Sequence, residues 1–217
     1  MLRTDSQHAV DEGKILVWDV PVRVFHWLIA VCFVGAYLTS EERIWRPAHV
    51  ALGYTTAGLI VFRVFWGVVG TRYARFANFV RGPAAALAYL RSLISGSPQH
   101  FTGHNPAGGL AIVALLATGA AVAVSGWVAL QETSTDRWED IHEALANLML
   151  AIVVIHIAAV FASSWLHREN LIASMCHGKK AGPPGMSIRH RFRSIGVLML
   201  LAVGGFWWVR WAWPWAS

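Results

Sequence analysis

Four histidines lie within or at the edge of strongly apolar stretches: His26, His49, His142 and His156. An imidazole can carry a proton, hydrogen-bond to a neighbouring helix or ligate a metal, and an ionisable group among apolar residues is costly unless it does one of these. Spacing narrows the choice. His142 and His156 stand fourteen residues apart at the two ends of the run IHEALANLMLAIVVIH. Fourteen helical steps return to within about 40° of the starting direction, so both rings would point one way, roughly 21 Å apart along the axis. His49 and Arg63 have the same fourteen-residue spacing. Arg23 precedes His26 by three residues, one helical turn. Gly53, four residues after His49, leaves a gap beside that ring through which a flat macrocycle can approach.

The elements that must position these groups are membrane helices. The chain is 56% hydrophobic and only 14% charged, where soluble domains carry about 25%. No Asp, Glu, Lys or Arg occurs between Ser92 and Gln131. Five spans are read, at 22–40, 47–69, 107–130, 141–164 and 194–211. The polar stretch MLRTDSQHAVDEGKILVWD has no apolar segment of signal-peptide length, so the first span is expected to insert and stay. The formal charge of +6 reads as topology, not as a nucleic-acid partner, because the basic residues cluster in particular loops. Arg72, Arg75, Arg81 and Arg91 follow span 2 with no acid. Arg168, Lys179, Lys180, Arg189, Arg191 and Arg193 follow span 4 against one acid, Glu169. Positive charge collects on the cytoplasmic side, which places the N-terminus there and the C-terminus outside. GPAAALAYLRSLISG, with Leu87, Leu90 and Ile94 on one face, is expected to be a short helix lying along the inner surface. The tail FWWVRWAWPWAS supplies interfacial tryptophans. Cys32 and Cys176 are expected to be plain thiols, and the lack of a C-x-x-C-H motif rules out covalent haem attachment.

The topology sorts the four histidines by depth: His26 and His156 toward the inner side, His49 and His142 toward the outer. Two stacked haems with bis-imidazole ligation would use that arrangement, and helical bundles build cofactor sites from facing side chains in this way. Arg63 falls at the inner level and, with Arg23, can pair with haem propionates. Helix–helix hydrogen bonding is another use for any single histidine. Zinc or copper transport is a third, although such sites usually add carboxylates or thiolates at depth, and the acid nearest these histidines is Glu143 at the outer edge. His100, His104, His167, His177 and His190 fall in inner segments and His8 in the polar tail.

Four stretches carry a family resemblance. VWDVPVRVFHW at 17–27, FRVFWGVVGTRYARF at 62–76, GHNPAGG at 103–109 and the span-4 histidine pair followed by HRENLIASMCHGKK resemble, in order, the bacterial cytochrome b561 and nickel-iron hydrogenase b-subunit family. The resemblance covers roughly residues 15 to 180. It implies an all-α membrane protein with a four-helix transmembrane dihaem bundle over 1–185; hydropathy adds a C-terminal extension, 186–217, with a fifth span at 194–211. It implies two non-covalent haems b, His26 and His156 on the inner one and His49 and His142 on the outer. It also implies electron transfer in the respiratory chain of the bacterial inner membrane, between the quinone pool and a periplasmic partner such as a c-type cytochrome. The alternative is a haem-bearing anchor subunit of a periplasmic oxidoreductase, hydrogenase-like. The short segment between spans 3 and 4 departs from the hydrogenase subunits, and the Trp-rich fifth span lies outside the resemblance. A quinone is expected near the inner haem, beside Arg23, Arg63 and His104. The acidic outer residues Glu132, Asp136, Glu139 and Asp140 can attract a basic partner.

Overall fold

The computed structural model describes residues 13–97, 99–131 and 134–212. The first twelve residues with His8, the outer acid Glu132, and the terminal Trp213 and Trp215 lie outside the described residues.

Two of the long helices open on a side-chain cap. Asp19 caps α1 (Val20–Leu38), its Oδ1 accepting from the Val22 N–H at 2.8 Å, with Pro21 in the first turn. Helix α2 (Arg46–Val69) follows a short 3₁₀ turn, Arg43–Trp45. The one-turn α3 (Phe76–Phe79) and then α4 (Pro83–Ile94) lead to α5 (Pro106–Ala129), where Asn105 Oδ1 accepts from the Gly108 N–H at 2.7 Å. Helix α6 (Asp136–Leu166) is the longest, α7 (Leu171–His177) is two turns, and α8 (Arg193–Ala212) ends the described chain. Five of these, counting the 3₁₀ turn with α2, are long and apolar enough to cross a membrane. Their outward faces present Val31, Val61, Phe65, Ile155, Phe161 and Leu201, as lipid requires.

The five spans fall within a few residues of those read from the sequence, with one informative difference. Helix α6 begins at Asp136, not 141, so Asp136, Glu139 and Asp140 form its first turns. Acids at a helix N-terminus complement the macrodipole, which gives these residues a local role besides any partner. In α4 the buried face is Ala86 and Tyr89, while Leu87, Leu90 and Ile94 point away from the bundle, the arrangement of a helix lying on a membrane surface.

Helix α1 packs on α2, α2 on α5, and α5 on α6; α8 packs on α1 and, less extensively, on α2. Trp207 of α8 donates from Nε1 to Thr55 Oγ1 of α2 at 3.0 Å. The close backbone approaches of α6 are with α5 and α7. Side chains bridge it to α1 and α2: Tyr37 Oη donates to Asn147 Oδ1 at 3.1 Å, and the ring of His142 meets that of His49.

The basic end carries a cap absent from the sequence reading. Strand β1 (Lys14–Leu16) pairs antiparallel with β2 (Lys179–Ala181), Ile15 opposite Lys180. Val17 and Trp18 then both donate to Gly178 O, and Ile15, Leu16, Val17, Trp18, Tyr73 and Ile188 form a small core. Lys180, counted from sequence as a topology charge, is 6% exposed and paired with Glu169 at 3.2 Å.

Asp19 ties this cap to the bundle. It is 1% exposed, and its Oδ2 accepts from Trp66 Nε1 at 3.1 Å and from Thr71 Oγ1 at 2.6 Å. Asp19→Ala strands two buried donors, the Val22 N–H and Trp66 Nε1, each costing about 1–3 kcal/mol, so a loss of at least about 2 kcal/mol is expected; the part-buried Thr71 hydroxyl can turn to water. Thermal unfolding in detergent checks it; an unchanged midpoint would mean that Asp19 is dispensable to the fold.

Candidate functional site

The outer pair is the better defined. His49 of α2 and His142 of α6 place their ring centres 6.0 Å apart at an interplanar angle of 86°. His49 Nδ1 lies 2.8 Å from Ala36 O, and His142 Nδ1 lies 3.0 Å from Val122 O and 3.3 Å from Ser125 Oγ. A carbonyl oxygen can only accept, so both Nδ1 atoms carry the proton and both Nε2 lone pairs remain free. Metal-bound histidines are held in this way, with a backbone carbonyl fixing the ring and its tautomer. Two metal–imidazole bonds of about 2 Å, with the ring radii, span about the observed separation. Gly126 of α5 makes the room: a Cβ there would meet His142 Cε1 at 2.7 Å and Nδ1 at 2.9 Å. Beside His49, a Cβ on Gly53 would meet nothing within 4 Å, which agrees with the gap read from the sequence.

The inner group is built around Arg63. It is 3% exposed, and its guanidinium carbon stands 4.8 Å from the centre of Phe76 and 6.0 Å from that of Phe79. Gly67, one turn on, lets Phe76 close over α2, since a Cβ would come within 2.0 Å of that ring. His104 is wedged between Trp18 and Phe79, ring centres at 4.5 and 4.6 Å. Burial first, and then the nearby Arg63, Lys180, His156 and His26, hold the His104 imidazole well below its ordinary pKa, so it is neutral at pH 7. The sequence left His104 between a loop residue and a ligand-binding one; the structure encloses it.

Among the described residues, four buried side-chain nitrogens have no hydrogen-bond partner: Arg23 Nε, His26 Nδ1, Arg63 Nη1 and His104 Nδ1. His26, Arg63 and His104 belong to this inner group, while Arg23 lies on α1 one turn before His26. Buried polar atoms in folded proteins are almost always satisfied, and a guanidinium nitrogen can only donate, so the orphaned Arg63 Nη1 beside two unpartnered imidazole nitrogens fits a site for an anionic, acceptor-bearing group. The ion pair found among the described residues, Lys180–Glu169, leaves Arg63 without a carboxylate of its own. Arg23 is partly committed: its Nη2 donates to Cys176 O, joining α1 to the end of α7.

The structure thus brings His49 to His142, and places His26, His156, Arg63 and His104 near one another. Asp19 and Gly126 are the contributors that the sequence reading missed. The D-x-P entry to α1 was a capping signal for the first; nothing local marked the second.

Residues 17–178 match the family model of prokaryotic cytochrome b561. A protein of Azotobacter vinelandii named "Probable Ni/Fe-hydrogenase B-type cytochrome subunit" is 25% identical, covering 80% of this chain and 92% of its own. Proteins of the same name from Azotobacter chroococcum and Rhizobium leguminosarum are 27% and 22% identical, over 80% and 81% of this chain and 92% of each relative. No solved structure matches the chain.

Proposed function

The chain belongs to the prokaryotic cytochrome b561 family, and on that premise we propose that it is a two-haem conduit. It carries electrons across the bacterial inner membrane between quinone at the basic, cytoplasmic end and a redox partner outside. His49 and His142 hold the outer haem, His26 and His156 the inner one, and Arg63 with Arg23 faces the inner propionates. Haem b supplies a one-electron couple; the protein supplies the imidazoles, the apolar enclosure and the nearby charge that set its potential. The observation that carries the reading is the outer pair, two imidazoles with Nδ1 tied to helix carbonyls and Nε2 free, 6.0 Å between centres. The orphaned nitrogens of the inner group support the second site. A neutral His104 can donate to a quinone oxygen or accept from a quinol hydroxyl there.

A dithionite-reduced minus oxidised spectrum of the purified protein, with a pyridine haemochrome count, tests this directly. Two low-spin b-type haems per chain are expected. One would make one histidine pair structural, and none would end the cytochrome reading of these residues.

Arg63→Ala is expected to lower the inner haem potential, because a nearby cation favours the reduced, less positive haem. Redox titration measures it; an unchanged or raised potential counts against Arg63 as a propionate partner.

The relatives' name favours a second reading, a membrane subunit bound to a periplasmic hydrogenase-like oxidoreductase. The short 130–135 connection between α5 and α6, with acids opening α6, suits a smaller basic partner such as a c-type cytochrome. Retention of a large partner through purification in mild detergent would decide for the subunit.

A further inference from the structure

A chain of polar contacts runs inward from the basic face through residues that ligate nothing. His100, exposed in the loop before α5, has its ring centre 5.5 Å from that of His167, at an interplanar angle of 71°. His167 follows the last turn of α6, and its Nε2 lies 3.4 Å from Tyr89 Oη on α4. Tyr89 is 2% exposed. Its hydroxyl also accepts from Asn105 Nδ2 at 3.2 Å and has the Ser163 side chain as a further hydrogen-bonding neighbour. Asn105 is joined to His104, and Ser163 stands seven residues after His156, on the same helical face. The inner end of the chain therefore reaches the residue next to His104 and the helical face that carries His156 two turns away.

We propose that His100, His167 and Tyr89 form a proton relay between the aqueous basic face and the polar group around His104. Each of the three can both take and release a proton, and Asn105 orients the phenol between them. The relay rests on the quinone reading above. Oxidising a quinol to a quinone breaks two O–H bonds, delivering two electrons to the one-electron centres of the protein and two protons to the relay; reduction reverses both. For each proton released, Tyr89 Oη takes it up while giving its own to His167 Nε2, His167 releases one from Nδ1 to His100, and His100 passes it to water. His167 is faced by His100 from the loop, Tyr89 from α4, Lys180 from β2 and Glu169 from the turn before α7. Burial first, then His100 and Lys180, hold its pKa below the ordinary value, against the opposing pull of Glu169, so at neutral pH it is free to accept.

Duroquinol is the probe, added to the haem-loaded full chain while the haem α-band is followed, with dithionite as the quinone-independent reductant. Tyr89→Phe keeps the ring and removes the junction; His167→Gln removes the imidazole. Both are expected to slow duroquinol-driven reduction by at least about tenfold near neutral pH, with dithionite reduction unchanged. Added imidazole should restore rate to His167→Gln. In ¹⁵N-histidine spectra, His167 should titrate at higher pH in His100→Gln, where one cationic neighbour is gone. Parent-like rates in both variants overturn the relay, as does a loss that imidazole does not restore or a His167 titration unmoved by His100→Gln. If duroquinol fails to reduce the parent chain while dithionite succeeds, the quinone reading itself falls, and the relay with it.

Discussion

On the proposed two-haem arrangement, His156→Ala is expected to bind one haem per chain in place of two, with the outer haem retained. The two histidines of α6 lie on one face, roughly 21 Å apart, so they serve different levels of the bundle. Met149 stands midway between them, 4% exposed. It packs against α5: a Cβ on Gly119 would meet Ile60 Cδ1 at 3.0 Å and Met149 Cε at 3.5 Å. That apolar layer does not depend on the His156 ring, so truncation at the inner level leaves the outer level supported. His142→Ala is the mirror experiment and should spare the inner haem. A pyridine haemochrome count with a reduced-minus-oxidised spectrum reads both variants. If His156→Ala keeps both haems, the pairing by depth is wrong; if it loses both, the two sites assemble as one unit.

Gly126→Ala is expected to damage the outer site almost as much as removing the histidine, although Gly126 ligates nothing. The added methyl carbon would stand 2.7 Å from His142 Cε1, well inside the ordinary contact distance of about 3.5–4.0 Å. The ring cannot retreat and still keep its 3.0 Å contact with Val122 O, and that contact leaves Nε2 as the free nitrogen. Disturbing a group that orients a metal-bound histidine typically costs about 10–100-fold in affinity, and a weakening of that order is expected at the outer site alone. Gly119→Ala, two turns earlier on α5, is the control, because the atoms it would meet are the flexible ends of Ile60 and Met149. Haem titration of the two variants separates them: equal affinity in Gly126→Ala and Gly119→Ala would remove Gly126 from the site.

Much of the architecture was legible because membrane helices are specified locally. An apolar run of sufficient length commits its own backbone to a helix, since lipid offers no other hydrogen-bond partner. Thus the five spans and the surface helix Pro83–Ile94 could be read from hydropathy, proline and glycine alone. The face shared by His142 and His156 follows from helical periodicity and needs no knowledge of neighbours. Hydropathy marks the apolar span from 141, while the helix itself begins at Asp136, because the helix dipole favours acids such as Asp136 and Glu139 in a first turn.

What the sequence by itself determined is therefore the set of elements, the face shared by His142 and His156 and the family resemblance of its motifs. The tertiary structure decided everything that depends on which helix stands beside which. The proton on each outer imidazole is fixed by a carbonyl of another helix, Ala36 for His49 and Val122 for His142. The carboxylate of Asp19 finds Trp66 and Thr71 about fifty residues on, and the three-residue strands β1 and β2 pair across most of the chain. His104 lies in a polar loop by sequence and between two aromatic rings by structure. Contacts of this kind leave no periodic trace, because each depends on a backbone crossing that helical spacing does not encode.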